Sequence, residues 1–346
     1  MLSALSYAPT HYFLSGSTLS SLPKPNTSLT PMATSVRIAV VGDVHDDWNL
    51  QEDTKALQLL QPDLVLFTGD FGNENVELVQ SVADLRVAKA VILGNHDCWT
   101  TQEFSGKKKD RVQLQLECLG EEHVAYRRLD FPLFKLSIVG GRPFSHGGER
   151  MFRKRLLSAR YGVKDMDGSA KRIYEAALGV PEDHLVILLA HNGPTGLGSN
   201  SNDICGKDWV FGGGDNGDPD LAQAISQLKE ATEFVIPLVV FGHMHKELAH
   251  GNGPRKMIVV EPDNTVYLNG AIVPRVKRLI DDQGAVNRNL TNEGSVKSPE
   301  SGGTLRAFTL VEILDGSVVK ISESWVSVVG EKSALEEEHT LFKRES

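Results

Sequence analysis

The amino-acid sequence predicts an α/β fold with more than one sheet, and three observations carry that expectation. Through the first hundred residues, short apolar runs closed by glycine alternate with amphipathic stretches, the pattern of βαβ units with parallel strands. Further apolar runs of strand length recur between residues 134 and 241. From residue 256 on, strand-like runs follow one another without helices between them, so a second sheet with antiparallel pairing is expected there.

Taken in order, VRIAVV (36–41) reads as a buried strand ending at Gly42. Residues 49–61 carry Leu50, Leu57 and Leu60 among polar residues, a helix. LVLFT (64–68) is a strand stopped at Gly69, VELVQSVADL (76–85) a helix, and AVIL (90–93) a third strand. FKLSIVG (134–140), LVILLA (185–190) and IPLVVF (236–241) continue the strand series. KMIVVEP, TVYLNG, LRAFTLVEIL and SVVKISES form the helix-free C-terminal group. Between these lie a charged helical insertion (145–178), a Gly-rich loop (193–220) and a polar, mobile loop (283–303). Residues 329–346 are expected as a charged tail containing a short exposed helix.

Composition narrows the classes. A formal net charge of −9 disfavours a nucleic-acid coat, because such binding sets many Lys and Arg against phosphates. No apolar run approaches the roughly 20 residues that span a bilayer, so no membrane partner is expected. The three cysteines, Cys98, Cys118 and Cys205, are scattered, which fits a reducing compartment. Residues 1–35 are rich in Ser and Thr and contain no Asp or Glu. They read as a transit peptide of chloroplast type, since arginine is scarce, or as a disordered leader of a cytoplasmic protein. The folded domain is expected over 36–328.

The polar residues fall at the strand ends. GDVH places Asp43 and His45 after the first strand, GD places Asp70 after the second, and GNHD places Asn95, His96 and Asp97 after the third. AHNG puts His191, and GHMH puts His243 and His245, just beyond two later strands. In an α/β sheet the crevice past the carboxyl ends of the strands is the usual ligand site. Residues two apart in extended chain point the same way, so Asp43 with His45, and His243 with His245, can each serve one centre. Aspartate oxygens and histidine nitrogens suit Mn, Fe or Zn. Arg142, in GGRPF, follows a strand and reads either as a bidentate phosphate clamp or as a salt-bridge partner.

The ordered blocks GDVH, GD, GNHD, AHNG and GHMH resemble those of the calcineurin-like metallophosphoesterases. The resemblance implies a four-layer α/β/β/α sandwich of two mixed sheets, and two divalent metal ions at its strand ends. It implies that Asp43, His45, Asp70 and His245 hold one ion. Asp70, Asn95, His191 and His243 would hold the other, with Asp70 shared. His96 would be the acid or phosphate-positioning group, with Asp97 orienting it. The implied reaction is hydrolysis of a phosphate ester by water activated between two metals, with a small phosphorylated substrate as partner. A phosphodiesterase or nuclease, and a metal-binding scaffold acting through protein partners, are the alternatives. Asn73 stands where many members carry an acid, and no Tyr follows Asp70 at three residues. These departures point away from protein Ser/Thr phosphatases and purple acid phosphatases, towards a plastid or cyanobacterial branch of undefined substrate.

Overall fold

The computed structural model describes residues 35–233, 235–279 and 302–344. The transit segment and the 283–303 loop lie outside them but for Ser35, Gly302 and Gly303. Strand β1 (Ser35–Val41) is followed by helix α1 (Leu50–Leu60), β2 (Leu64–Phe67), α2 (Val76–Ala83), β3 (Lys89–Val91) and α3 (Arg111–Leu119). Then come β4 (Arg128–Phe131), β5 (Leu136–Gly140), α4 (Lys154–Tyr161), α5 (Met166–Ala177), β6 (Leu185–Leu189), α6 (Pro219–Ala231) and β7 (Leu238–Phe241). Strands β8 (Ile258–Val260), β9 (Val266–Asn269), β10 (Val276–Arg278), β11 (Thr304–Leu314), β12 (Ser317–Val329) and β13 (Lys332–Lys343) complete the chain.

The strands form two mixed sheets. The first runs β13-β12-β11-β1-β2-β3, with β10 also on β11; the second runs β4-β5-β6-β7-β9-β8. Alternation along β1 explains the stacking. Val36, Ile38 and Val40 enter an inter-sheet core with Ile138, Ile187 and Val240, while Ala39 and Val41 face a second core with Leu57 and Leu60 of α1. A period of two sends successive side chains to opposite faces, so a strand apolar on both faces belongs between a sheet and a helix layer. α1 lies on the first sheet and α5 on the second, which gives the expected four layers.

Four of the six helices described, α1, α2, α3 and α5, start on side-chain caps. Asn49 accepts from the Glu52 amide at 3.1 Å, Asn75 from Leu78 at 3.1 Å, Asp110 from Gln113 at 2.9 Å and Asp165 from Gly168 at 2.8 Å. Each such cap is worth about 1 kcal/mol, and the first two fix where the chain leaves the loops carrying Asp43 and Asp70.

Two expectations need correction. The C-terminal strands do not make a separate antiparallel sheet. β11 pairs antiparallel with β1, and β12 and β13 follow it, while β9 joins the second sheet parallel to β7. The reason is the other edge of β1, whose buried amides and carbonyls need partners that β2 supplies on one side only. The charged tail is likewise no helix. Residues 332–343 are β13, paired along β12, because ladder pairing and the partial burial of Leu341 and Phe342 outweigh the helical preference of LEEE.

Candidate metal centre

Every sequence-predicted ligand follows a strand, and the loops that carry them are tied together by backbone bonds. The His45 amide donates to the Asp70 carbonyl at 2.8 Å, the Asp46 amide to Phe71 at 2.9 Å, and the Gly242 amide to His191 at 2.8 Å. Four of the candidate ligands, Asp43, His45, Asp70 and His243, have φ between 43° and 67°. For residues with a Cβ this left-handed region costs on the order of 1 kcal/mol or more and is held only where surroundings enforce it. Two glycines make room. A Cβ on Gly94 would sit 2.2 Å from Asp70 Oδ1 and 2.4 Å from His191 Cε1; one on Gly242 would sit 2.2 Å from Asp43 Oδ1.

The side chains converge in three overlapping groups: Asp43, His45 and His245; His45, Asp70 and His96; and Asp70, His191 and His243, the ligand atoms within each lying inside 4.8 Å of one another. His45 Nε2 is 3.0 Å from His245 Nε2, and His245 Nε2 is 3.4 Å from Asp43 Oδ2. That Oδ2 is buried with no hydrogen-bond donor among the described residues, while Oδ1 accepts from the His243 amide at 2.9 Å. His191 Nδ1 lies 2.7 Å from the Thr68 carbonyl. A carbonyl only accepts, so the proton of the neutral ring sits on Nδ1. The Nε2 lone pair then faces Asn95 Oδ1 at 2.9 Å and Asp70 Oδ1 at 3.5 Å.

The electrostatics show what the cluster lacks. Burial, reinforced by Asp43 and Asp97, pushes the Asp70 carboxyl well above its usual range. Burial acts the same way on Asp43, but His245, His191 and His45 around it hold that carboxyl below the usual range. Burial keeps His45, His191 and His243 below the ordinary imidazole value, so their lone pairs are available. His245 alone rises, since Asp43 beside it outweighs its desolvation. Buried carboxylates and neutral imidazoles with facing acceptor atoms are short of positive charge, and this nitrogen and oxygen donor set fits divalent transition ions.

A sequence model of the family described as calcineurin-like phosphoesterase matches residues 36–247, more than half of the chain. The chain belongs to that family. This phosphoesterase is therefore a metal-dependent hydrolase of phosphoric esters. No curated protein matches it. Among solved structures it is similar to a dimetal phosphatase from Danio rerio, at 9% identity and a TM-score of 0.39, over 89% of this chain and 99% of that one. A conserved uncharacterized protein from Streptococcus pneumoniae, described as a predicted phosphoesterase, matches at 13% identity and a TM-score of 0.31, over 88% and 98%. The sulfate thiohydrolase SoxB of Thermus thermophilus matches at 14% and 0.36, over 83% of this chain and 43% of that one.

Two expectations about the phosphoesterase's site change. Arg142 is no substrate clamp. It is 1% exposed, and its guanidinium pairs with Asp218 at 2.8 Å and Asp220 at 2.8 Å; a buried charge needs such partners. Asp97 does not orient His96. Its carboxylate accepts from the amides of Asp70 (2.9 Å), Phe71 (2.9 Å) and Gly94 (2.7 Å), knitting the second and third loops together. His96 is held by Asn73, with Nδ1 2.7 Å from Oδ1, and by stacking on Trp99 at 4.6 Å. Burial and the neighbouring His45 and His191 lower its pKa to about 4.

Sequence reasoning passed over other contributors. Asn216, from the Gly-rich loop, donates to His243 Nε2 at 3.4 Å. Arg255 donates to the His245 carbonyl at 2.9 Å. His146 lines the same cavity as the ligands, with its ring 5.9 Å from that of His243. Two of the site's further residues left a signal in the sequence: Asn73, at the position where many family members carry an acid, and His146, in PFSHGG, as a histidine that could approach the crevice. Among the described residues no helix is long and apolar enough to cross a membrane.

Proposed function

We propose that the protein hydrolyses a small phosphate ester at a centre of two divalent ions, Mn, Fe or Zn. Asp43, His45, Asp70 and His245 would hold one ion, and Asp70, Asn95, His191 and His243 the other. The observation that carries this reading is the overlap of three ligand groups through Asp70 and His45, around acceptor atoms that face one another without a donor. Bound ions would supply Lewis-acid polarisation of the phosphoryl oxygens and an activated water.

The chain's own residues do the rest. His191, with its proton committed to the Thr68 carbonyl, presents one fixed nitrogen. Asn95 offers a neutral oxygen, so the ligand set keeps a positive balance towards an anionic substrate. His96 faces the cavity on a ring fixed by Asn73 and Trp99; with its Nδ1 proton committed to Asn73, it would donate to, or steady, the leaving oxygen once a bound anionic substrate draws a second proton onto Nε2, and such transfer is worth about 10²–10⁴ in rate. The acid-free leader supports delivery to the chloroplast, which import with and without residues 1–35 tests.

The test is turnover of mono- and bis-aryl phosphates by metal-free and Mn-loaded protein, beside His96→Ala. Hydrolysis that requires metal and falls at least about 100-fold in His96→Ala supports the reading. A loaded protein that cleaves no ester would instead make the centre a scaffold. Diester cleavage exceeding monoester cleavage would assign the phosphodiesterase branch.

A further inference from the structure

We propose that Trp99 and Trp209 are the walls of a subsite for a flat, uncharged aromatic leaving group, such as a nucleoside, on the phosphate ester; this rests on the phosphoesterase reading of the metal centre. Both indoles line the cavity of about 440 Å³ that also holds Asp70, Asn95, His96, His243 and His245. That volume accommodates a small organic ligand. Trp99 is 45% exposed and Trp209 52%, so neither is spent on the core, where burial would be their ordinary use.

The Trp99 indole and the loop that carries Trp209 are nevertheless held in place. Trp99 lies parallel to His96, at 9° between planes. Arg153 donates to the carbonyls of Cys98 and Trp99. The next two residues, Thr100 and Thr101, donate both their amides and their hydroxyls to the carboxylate of Glu74, itself only 2% exposed. Trp209 rides on loop 207–214, which leaves and returns through the Gly206–Asp215 bridge and the Lys207 amide bond to Gly214 at 2.8 Å. At its base Asp208 accepts from the Ala249 amide at 2.6 Å and pairs with Arg255 at 3.3 Å. Fixed aromatic faces bind planar groups at low entropic cost.

Charge around the cavity selects the class further. Among the described residues that line it, Arg255 is the sole Lys or Arg. Its guanidinium already donates to the carbonyls of His245, Ser201, Asp203 and Gly206. Asp208 and Glu247 complete that side of the wall. A second phosphate would meet carboxylates with no free cation, so a polyphosphate is rejected. A neutral ring meets indole faces.

The test compares phenylphosphonate with methylphosphonate. Both carry the same head group on a carbon–phosphorus bond that hydrolysis does not cut, and they differ chiefly in the ring. Dissociation constants are measured on Mn-loaded protein by titration calorimetry. The native protein is expected to bind the phenyl compound about tenfold more tightly, the worth of one stacked ring. Trp209→Ala should bring that ratio near one, and Trp209→Phe should restore it. Trp209 is the residue to change because Trp99 also supports His96. A native ratio near one, or a ratio unmoved by Trp209→Ala, overturns the subsite. So does co-sedimentation with phosphatidylglycerol vesicles that Trp209→Ala abolishes while the ratio stays put, since it assigns the indole to a lipid surface. Because no turnover enters these ratios, a protein that cleaves no ester would sink the hydrolase reading and leave the ring-binding result to stand on its own. If esters are cleaved, AMP should exceed ribose 5-phosphate in kcat/KM by a similar factor.

Discussion

Two buried charge clusters lie close together in this fold, and they differ in one respect. Arg142 sits against Asp218 and Asp220, with Ser145 and Ser169 donating to the carboxylates; it brings its own counter-ion. Asp43, Asp70 and Asp97 are as deeply buried, but histidines and backbone amides surround them and, among the described residues, no Lys or Arg pairs with them. A closed cluster carries its own cation and holds loops in place. An open one waits for a cation. The contrast separates scaffold from site better than residue type does, since both clusters are made of the same carboxylates.

That contrast can be broken by single substitutions. The largest effect is expected from Asp70→Asn. Loss of the shared carboxylate should lower turnover by about 10³-fold or more, the several kcal/mol that metal polarisation supplies. In the metal-free state the same change should raise the urea midpoint, because it removes a buried carboxyl whose ionisation burial and Asp43 oppose. Next is Arg142→Met, which leaves Asp218 and Asp220 without their cation. It should cost about 3–5 kcal/mol in urea unfolding, and adding Asp218→Asn and Asp220→Asn should recover most of that. If Arg142→Met were neutral, the two clusters would not differ as described. The smallest effect is Asn73→Ala, which frees the His96 ring. Turnover should fall about tenfold, a fraction of what a general acid contributes, with metal content by emission spectrometry unchanged.

The candidate ligands were legible because each obeys two local rules at once: it follows an apolar strand, and it pairs with a neighbour two residues away or stands alone just past the strand end. Asp43, His45, Asp70, Asn95, His191, His243 and His245 all lie where those rules put them. What was illegible depended on distant partners. Arg142 in GGRPF reads the same whether it meets solvent or two carboxylates more than 70 residues onward. Asp97 looked like a histidine's companion because adjacency in sequence suggests contact, yet its acceptor atoms point back at the amides of Asp70 and Phe71. Strand β13 was hidden because LEEE favours a helix and only its pairing with β12 says otherwise. Trp209 lay inside a Gly-rich loop whose path no periodicity describes.

The candidate ligands are drawn from both sheets. Asp43, His45, Asp70 and Asn95 follow strands of the first, whereas His191, His243 and His245 follow strands of the second. The distance across the centre is therefore set by the layer of Ile38, Val40, Ile187 and Val240 between the sheets, none of which is a ligand. That apolar filling works as a spacer gauge: its thickness, at the close packing of protein interiors, fixes how far apart the two halves of the centre are held.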